Sequence, residues 1–133
     1  MKRYLFFQYL LLLLVVSVVA HADDKKKEKE MTIKGEVVEV SCYLRHGAKG
    51  EYHQACGVAC AKTGSPLGIL TEDNTLYVSL LPDNHKQSPN SILMDHIGHM
   101  VEAKGIVRSN GGVNGIMIND VSMAKMEEKM EKK

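Results

Sequence analysis

Alternation of apolar and polar residues along the chain predicts five short β-strands. The first is expected over Met31–Leu44 and contains Gly35, and a glycine inside a strand often marks a bulge or a sharp bend. The other four are expected over Leu67–Leu70, Leu76–Leu81, Met100–Arg108 and Val113–Met123. The chain is therefore predicted to be mainly β.

Turn residues and breaks in the alternation predict how the strands are connected. Glu72-Asp73-Asn74 is a hairpin signal between the second and third strands, and Ser109-Asn110-Gly111-Gly112 is a stronger one between the fourth and fifth. A helix is expected over Gly50–Thr63, where Gly64-Ser65-Pro66 would end it, and a short helix over Ser91–Ile97. The longest helix would thus follow the first strand.

Five short strands, a glycine in the first of them and a terminal hairpin fit a small five-stranded Greek-key barrel of the OB type. In the usual OB barrel the helix lies between strands three and four, whereas here it would follow strand one. We therefore predict an OB-like barrel with one inserted helix after strand 1, the Cys- and His-bearing insertion covering about residues 42–65. A distorted β-sandwich is the alternative.

The first 22 residues have the pattern of a secretory signal peptide. Lys2 and Arg3 form a positive start, a largely apolar run covers Leu5 to Ala20, and Ala20-His21-Ala22 is a small-x-small cleavage motif. Cleavage after Ala22 would give a secreted protein, most simply a periplasmic one, with no stable membrane anchor. An uncleaved membrane anchor is the alternative.

Charged segments flank the predicted domain, residues 31–124, on both sides. Residues 23–30 (DDKKKEKE) have no apolar side chain and are predicted to be a solvated linker. Residues 125–133 form a charged tail. Met123, Met126 and Met130 near this end could line one helix face or supply soft sulfur ligands to Cu(I), and a frayed amphipathic end is the simpler interpretation.

Charge and aromatic content argue against a nucleic-acid partner. Without the leader the chain has 15 basic and 16 acidic residues, whereas nucleic-acid-binding domains are usually clearly basic. Its aromatic residues are then Tyr43, Tyr52 and Tyr77, few for a base-stacking surface. No nucleic acid is expected to bind, and a partner would be another exported or membrane protein.

Three cysteines and two histidines fall within 19 residues of the insertion: Cys42, His46, His53, Cys56 and Cys60. On a helix His53, Cys56 and Cys60 would share one face, and Cys42 at the end of the first strand could meet it. Together they would form a Cys3His set, as in structural zinc sites, while three thiolates suit Cu(I). His46 in the intervening loop is a fourth or replacement ligand.

The same residues allow two other interpretations. An odd number of thiols in an exported protein leaves at least one outside any intramolecular disulfide. A bridge from Cys42 to Cys56 or Cys60 would staple the helix to the first strand, and the barrel face would then bind a peptide, a sugar or a membrane protein. Alternatively, Cys56 beside His53 could be an attacking thiol in redox chemistry, with Cys60 or Cys42 as the resolving partner.

Residues 35–70 resemble a segment of a group of small exported bacterial proteins. The resemblance rests on GEVVEVSCYLRHGAKGEYHQAC, followed by Cys60 and GSPLGIL, and extends over roughly residues 33–124. It implies an exported single domain with an OB-like fold and assigns no activity, ligand or catalytic residue. From the residues themselves we predict an exported protein that binds Zn(II) or Cu(I) in a structural or metal-handling role, and no catalytic set beyond the thiols.

Overall fold

The structure is a computed structural model in which residues 30–125 are described. The predicted signal peptide, residues 23–29 of the predicted linker, and Met126 and Met130 of the predicted tail lie outside the described residues. Export and the roles of these segments therefore stay predictions. No helix within residues 30–125 is long and apolar enough to cross a membrane.

Five strands close into a barrel in the order β1-β2-β3-β5-β4. Neighbouring strands pair antiparallel, except for the parallel pair formed by β3 and β5. The predicted mainly β, OB-like barrel with a helix after strand 1 is therefore confirmed. The strands are β1 (Glu30–Glu39), β2 (Leu67–Leu70), β3 (Leu76–Ser79), β4 (Met100–Asn110) and β5 (Val113–Met123).

The first strand is shorter than predicted, because a helix begins directly after it. The side chain of Glu39 accepts hydrogen bonds from the backbone N–H groups of Ser41 and Cys42 and so caps helix α1 (Val40–His46). This helix ends at Gly47, whose φ of 65° lies in the left-handed region. Cys42, which we predicted to end strand β1, therefore lies on a helix.

The remainder of the insertion contains the helix that we predicted over Gly50–Thr63, with different bounds. Gly50 has a φ of 83° and precedes a 3-10 turn at Glu51–His53, which leads into helix α2 (Gln54–Lys62). The insertion thus holds two short α-helices in place of one. The short helix predicted between β3 and β4 is a single 3-10 turn, Met94–His96.

Helix α2 lies directly against the barrel core. Its Ala61 is buried with the core side chains, and a Cβ atom on Gly57 would lie 2.8 Å from Cγ2 of Ile97, so the glycine permits the close approach. The barrel core itself consists of apolar side chains from β1, β2, β4, β5 and the loop before β4: Ile33, Val37, Leu67, Ile69, Leu93, Ile97, Val101, Ala103 and Ile116.

Asn90, a buried polar residue in the loop before β4, holds the end of the insertion in place. Its Oδ1 accepts a hydrogen bond of 3.0 Å from the N–H of Leu67. Its Nδ2 donates to the carbonyl oxygen of Ser65 at 2.7 Å and to that of Ala61 at 3.4 Å. The C-terminus of α2 and the start of β2 are therefore joined through one side chain.

Candidate metal centre

Side chains of the insertion and of the last residue of β1 form two overlapping groups of potential metal ligands. The outer group is Cys42, His53 and Cys56, and the inner group is Glu39, Cys42 and Cys60. Within each group the ligand atoms all lie within 4.8 Å of one another. Cys42 belongs to both groups, so the two share one sulfur atom.

Each ligand is positioned by a local feature of the insertion. Cys42 lies on the short helix α1, and His53 is the N-cap residue of α2. Cys56 and Cys60 lie four positions apart on α2, about one helical turn. The outer group therefore joins α1 to the start of α2, and the inner group joins α1 to the C-terminal part of α2.

The structure divides the ligands that we predicted from the sequence between these two groups. Cys42 meets His53 and Cys56 in one group and Cys60 in the other. No group found within residues 30–125 contains both Cys56 and Cys60, so the four predicted ligands do not form one set. His46 is exposed at the end of α1 and belongs to neither group.

Glu39 is only 1% exposed and was not predicted from the sequence as a ligand. Its Oε1 accepts hydrogen bonds from the N–H of Ser41 at 2.8 Å and from the hydroxyl group of Ser65, and its Oε2 accepts one from the N–H of Cys42 at 2.8 Å. Because helix N-caps are usually Ser, Thr, Asp or Asn, a glutamate within an alternating strand gives no such signal. Its position three residues before Cys42 was the available clue.

Glu39 and Cys42 shift each other's pKa in opposite directions. Burial raises the pKa of the Glu39 carboxyl, but hydrogen bonds from Cys42, Ser65 and Ser41 outweigh it and lower that pKa from 4.5 to about 2. The hydrogen bond to Glu39, with burial and the nearby Cys60, raises the pKa of the Cys42 thiol from 9.0 to about 12. At neutral pH the metal-free protein therefore has an ionised Glu39 and a protonated Cys42, and a metal ion would displace that proton.

His53 has a ring nitrogen without a partner. Its Nε2 is buried and makes no hydrogen bond, which among the described residues is also true of Nδ1 of His96. Buried polar atoms are nearly always hydrogen-bonded, and an exception often marks a missing water or ion. Of these two histidines, His53 is the one that belongs to a ligand group. Neutral imidazole is a common ligand for both zinc and copper.

The turn that carries His53 is fixed to the barrel by polar contacts. Nε2 of His99 lies 3.2 Å from the side-chain nitrogen of Gln54, and its Nδ1 lies 3.6 Å from Oε1 of Glu51. The N–H of Gly50 donates a hydrogen bond to the carboxylate of Glu36 on β1. The backbone on both sides of His53 is thereby held against the start of β4 and the middle of β1.

Comparison with known proteins adds no family to this description. No protein-family model matches the chain. Searches of curated proteins and of solved structures likewise find no match. Function is therefore inferred from the residues and geometry of the site.

Proposed function

We propose that the protein is exported and binds one soft or borderline metal ion, Zn(II) or Cu(I), in a metal-handling role. The outer group carries the proposal, because two thiols and an imidazole, from two different helices, place their ligand atoms within 4.8 Å of one another. Thiolate and imidazole are ligands that both ions accept. Export is proposed from the leader pattern of residues 1–22.

The exposure of the site favours metal handling over a purely structural ion. Structural zinc is usually enclosed by four protein ligands, whereas the outer group offers three and its Cys56 is exposed. A bound ion would therefore remain within reach of an acceptor. The unpaired Nε2 of His53 gives separate support, since a ligand or a water is needed to satisfy it.

A single cysteine substitution tests this function. Because Cys42 belongs to both groups, Cys42→Ser is expected to weaken binding of Zn(II) and Cu(I) by more than about 100-fold, which exceeds the usual effect of changing a residue that only supports a ligand. The affinity is measured by competition with a chromogenic chelator, for Cu(I) without oxygen. His46→Ala is the matched control, because His46 is exposed and outside both groups.

The control should bind one ion per chain with the affinity of the unaltered protein. The proposal is wrong if the unaltered protein binds neither ion. It is also wrong if Cys42→Ser and His46→Ala bind equally well, since binding would then not depend on the shared sulfur.

A binding module stapled by a disulfide is the second candidate. A groove on the barrel favours the binding module, whereas all three cysteines are free in the structure. This groove has a volume of about 460 Å³ and lies beside the β2–β3 turn, with Thr32, Lys34, Asp73 and Tyr77 in its wall. Its polar lining and single aromatic ring suit a sugar or an extended peptide. Binding on a glycan or peptide array that Tyr77→Ala abolishes and His53→Ala preserves would support this function, and absence of any bound glycan or peptide would contradict it.

A further inference from the structure

The inner group adds a third sulfur atom, that of Cys60, beside the sulfur of Cys42. Cys42 lies within 4.8 Å of Cys60 and of the Glu39 carboxylate, and the same Cys42 sulfur also belongs to the outer group. The Glu39 oxygens already accept hydrogen bonds from Ser41, Cys42 and Ser65. We therefore expect an ion in the inner group to be bound by the sulfur atoms of Cys42 and Cys60.

We propose that the centre has two alternative positions for one Cu(I) ion, an outer one on Cys42, His53 and Cys56 and an inner one on Cys42 and Cys60. The ion moves between them without leaving the sulfur of Cys42. This inference rests on the proposed metal-binding function and adds the inner position, the choice of ion and the route of transfer.

The number of ligands favours Cu(I) over Zn(II). Each group found among residues 30–125 contains three residues, and none of these groups contains four potential ligands. Structural zinc in proteins is held by four protein ligands in a tetrahedron, while the soft Cu(I) ion binds thiolates and is stable with two or three ligands. Two sulfurs in the inner position and two sulfurs with one nitrogen in the outer position are both complete sets for Cu(I).

The transfer step is a ligand exchange that leaves the oxidation state of the ion unchanged. In the outer position copper is bonded to the Cys42 and Cys56 thiolates and to a ring nitrogen of His53, and Cys60 is a thiol. A bond forms between copper and the sulfur of Cys60, which loses its proton to solvent. The bonds to Cys56 and His53 then break, and Cys56 takes up a proton from solvent, so that charge and protons balance.

Glu39 supplies an independent reason for a cation in the inner position. Its carboxylate is buried, and its hydrogen-bond donors are neutral: the backbone N–H groups of Ser41 and Cys42, the Cys42 thiol and the hydroxyl group of Ser65. Buried charged groups are usually paired with an opposite charge or placed next to a metal ion. Because Glu39 is fixed as the N-cap of α1, its charge stays beside the two inner sulfurs.

The two positions can be separated by substituting the cysteine that belongs to only one of them. The full chain and its variants are loaded with Cu(I) without oxygen, and the ligands of copper are counted by X-ray absorption spectroscopy. With Cys60→Ser the ion is confined to the outer position, and two sulfurs and one nitrogen are expected. With Cys56→Ser the ion is confined to the inner position, and two sulfurs and no nitrogen are expected.

Further variants and a folding check serve as controls for this experiment. Cys42→Ser should lose copper from both positions, and the unaltered protein should bind a single ion. Cys60 is half-buried, so Cys60→Ala is measured in parallel, and circular dichroism of each variant checks that the barrel is folded. His46→Ala should give the same spectrum as the unaltered protein.

The inference is overturned if copper keeps a nitrogen ligand in Cys56→Ser, because all four residues would then form one site. It is equally overturned if Cys56→Ser or the folded Cys60 variants lose the ion altogether, or if two ions bind at once. In each of these cases the unaltered protein still binds copper and the proposed function stands. If the unaltered protein binds no metal ion, the proposed function fails together with the inference.

Discussion

Glu39 is the residue at which the fold and the candidate metal centre meet. It ends β1, caps α1 through two backbone N–H groups and belongs to the inner ligand group. The same carboxylate raises the pKa of the Cys42 thiol, to which it is hydrogen-bonded. A change at Glu39 should therefore affect both the stability of the insertion and the protonation of its shared ligand.

Replacing Glu39 with glutamine should remove part of the acid sensitivity of the metal-free protein. Because the pKa of Glu39 falls from 4.5 to about 2 on folding, its contribution to stability is present above pH 4.5 and is lost as the pH falls towards 2. Glu39→Gln should be less stable than the unaltered protein at neutral pH and should lose less stability on acidification. The thermal unfolding midpoint, measured in steps from neutral pH to about pH 2.5, checks this.

Glu72→Gln is the matched control for this measurement, since Glu72 is exposed in the β2–β3 turn. Its unfolding midpoint should follow that of the unaltered protein across the whole pH range. Equal acid destabilisation of Glu39→Gln and the unaltered protein would mean that Glu39 does not have the lowered pKa.

At the scale of the elements, the position of α2 on the barrel determines where two of the three cysteines lie. The helix contacts the core through Ala61 and the bare backbone of Gly57, and Asn90 holds its C-terminal end. Cys56 and Cys60 occupy other positions on this short helix. A small displacement of α2 from the barrel should therefore separate both from Cys42.

Gly57→Ala should produce such a displacement. The added Cβ would lie 2.8 Å from Cγ2 of the buried Ile97, so α2 or Ile97 must move. Overpacking of this kind costs about 1–3 kcal/mol, which we expect to exceed the gain of up to about 1 kcal/mol from replacing a helical glycine with alanine. Chemical denaturation should show a net loss of stability, and metal affinity should fall with it.

Ala59→Ser serves as the control, because Ala59 is an exposed position of the same helix. It should leave stability within about 0.5 kcal/mol of the unaltered protein and metal affinity unchanged. A Gly57→Ala variant that is more stable than the unaltered protein would show that the contact with Ile97 does not limit how closely α2 packs.

The sequence predicted the barrel better than the insertion, for physical reasons that specific residues illustrate. Leu67–Leu70 and Val113–Met123 were predicted with the bounds that the structure has, because turn residues flank them. The end of β1 was predicted too late, since Val37, Val38 and Val40 extend the apolar pattern past the capping residue. Helical spacing predicted one face for His53, Cys56 and Cys60, whereas the structure groups His53 and Cys56 with Cys42 and places Cys60 in the other group.

The other features of the site, such as the buried Glu39 carboxylate, depend on contacts between residues that are far apart in the sequence. Ser65 donates a hydrogen bond to Glu39, and its Oγ lies 2.9 Å from that of Ser41. No periodicity within the segment indicates that these residues meet. The buried carboxylate and the division of the cysteines between two groups therefore could not be predicted from the spacing of Cys42, Cys56 and Cys60.

At the scale of the whole molecule, the barrel and the insertion have separate roles. The insertion leaves and rejoins the barrel at one place, where the N–H of Val40 donates a 3.0 Å hydrogen bond to the carbonyl oxygen of Pro66. Every residue of the two ligand groups except Glu39 lies between these two points. The barrel thus serves as a scaffold that holds both ends of the small lobe that carries the potential metal ligands.

Native mass spectrometry of the protein, produced with its leader and purified without a chelator, would show whether the cysteines and histidines hold a metal ion. Cleavage of the leader predicts a chain that begins at Asp23. Metal binding at the cysteine–histidine groups predicts that this chain carries one zinc or copper ion and has all three cysteines reduced once the ion is removed. A metal-free chain that is lighter by two hydrogens would contradict metal binding by these residues. It would show a disulfide with one remaining thiol and would favour the stapled binding module.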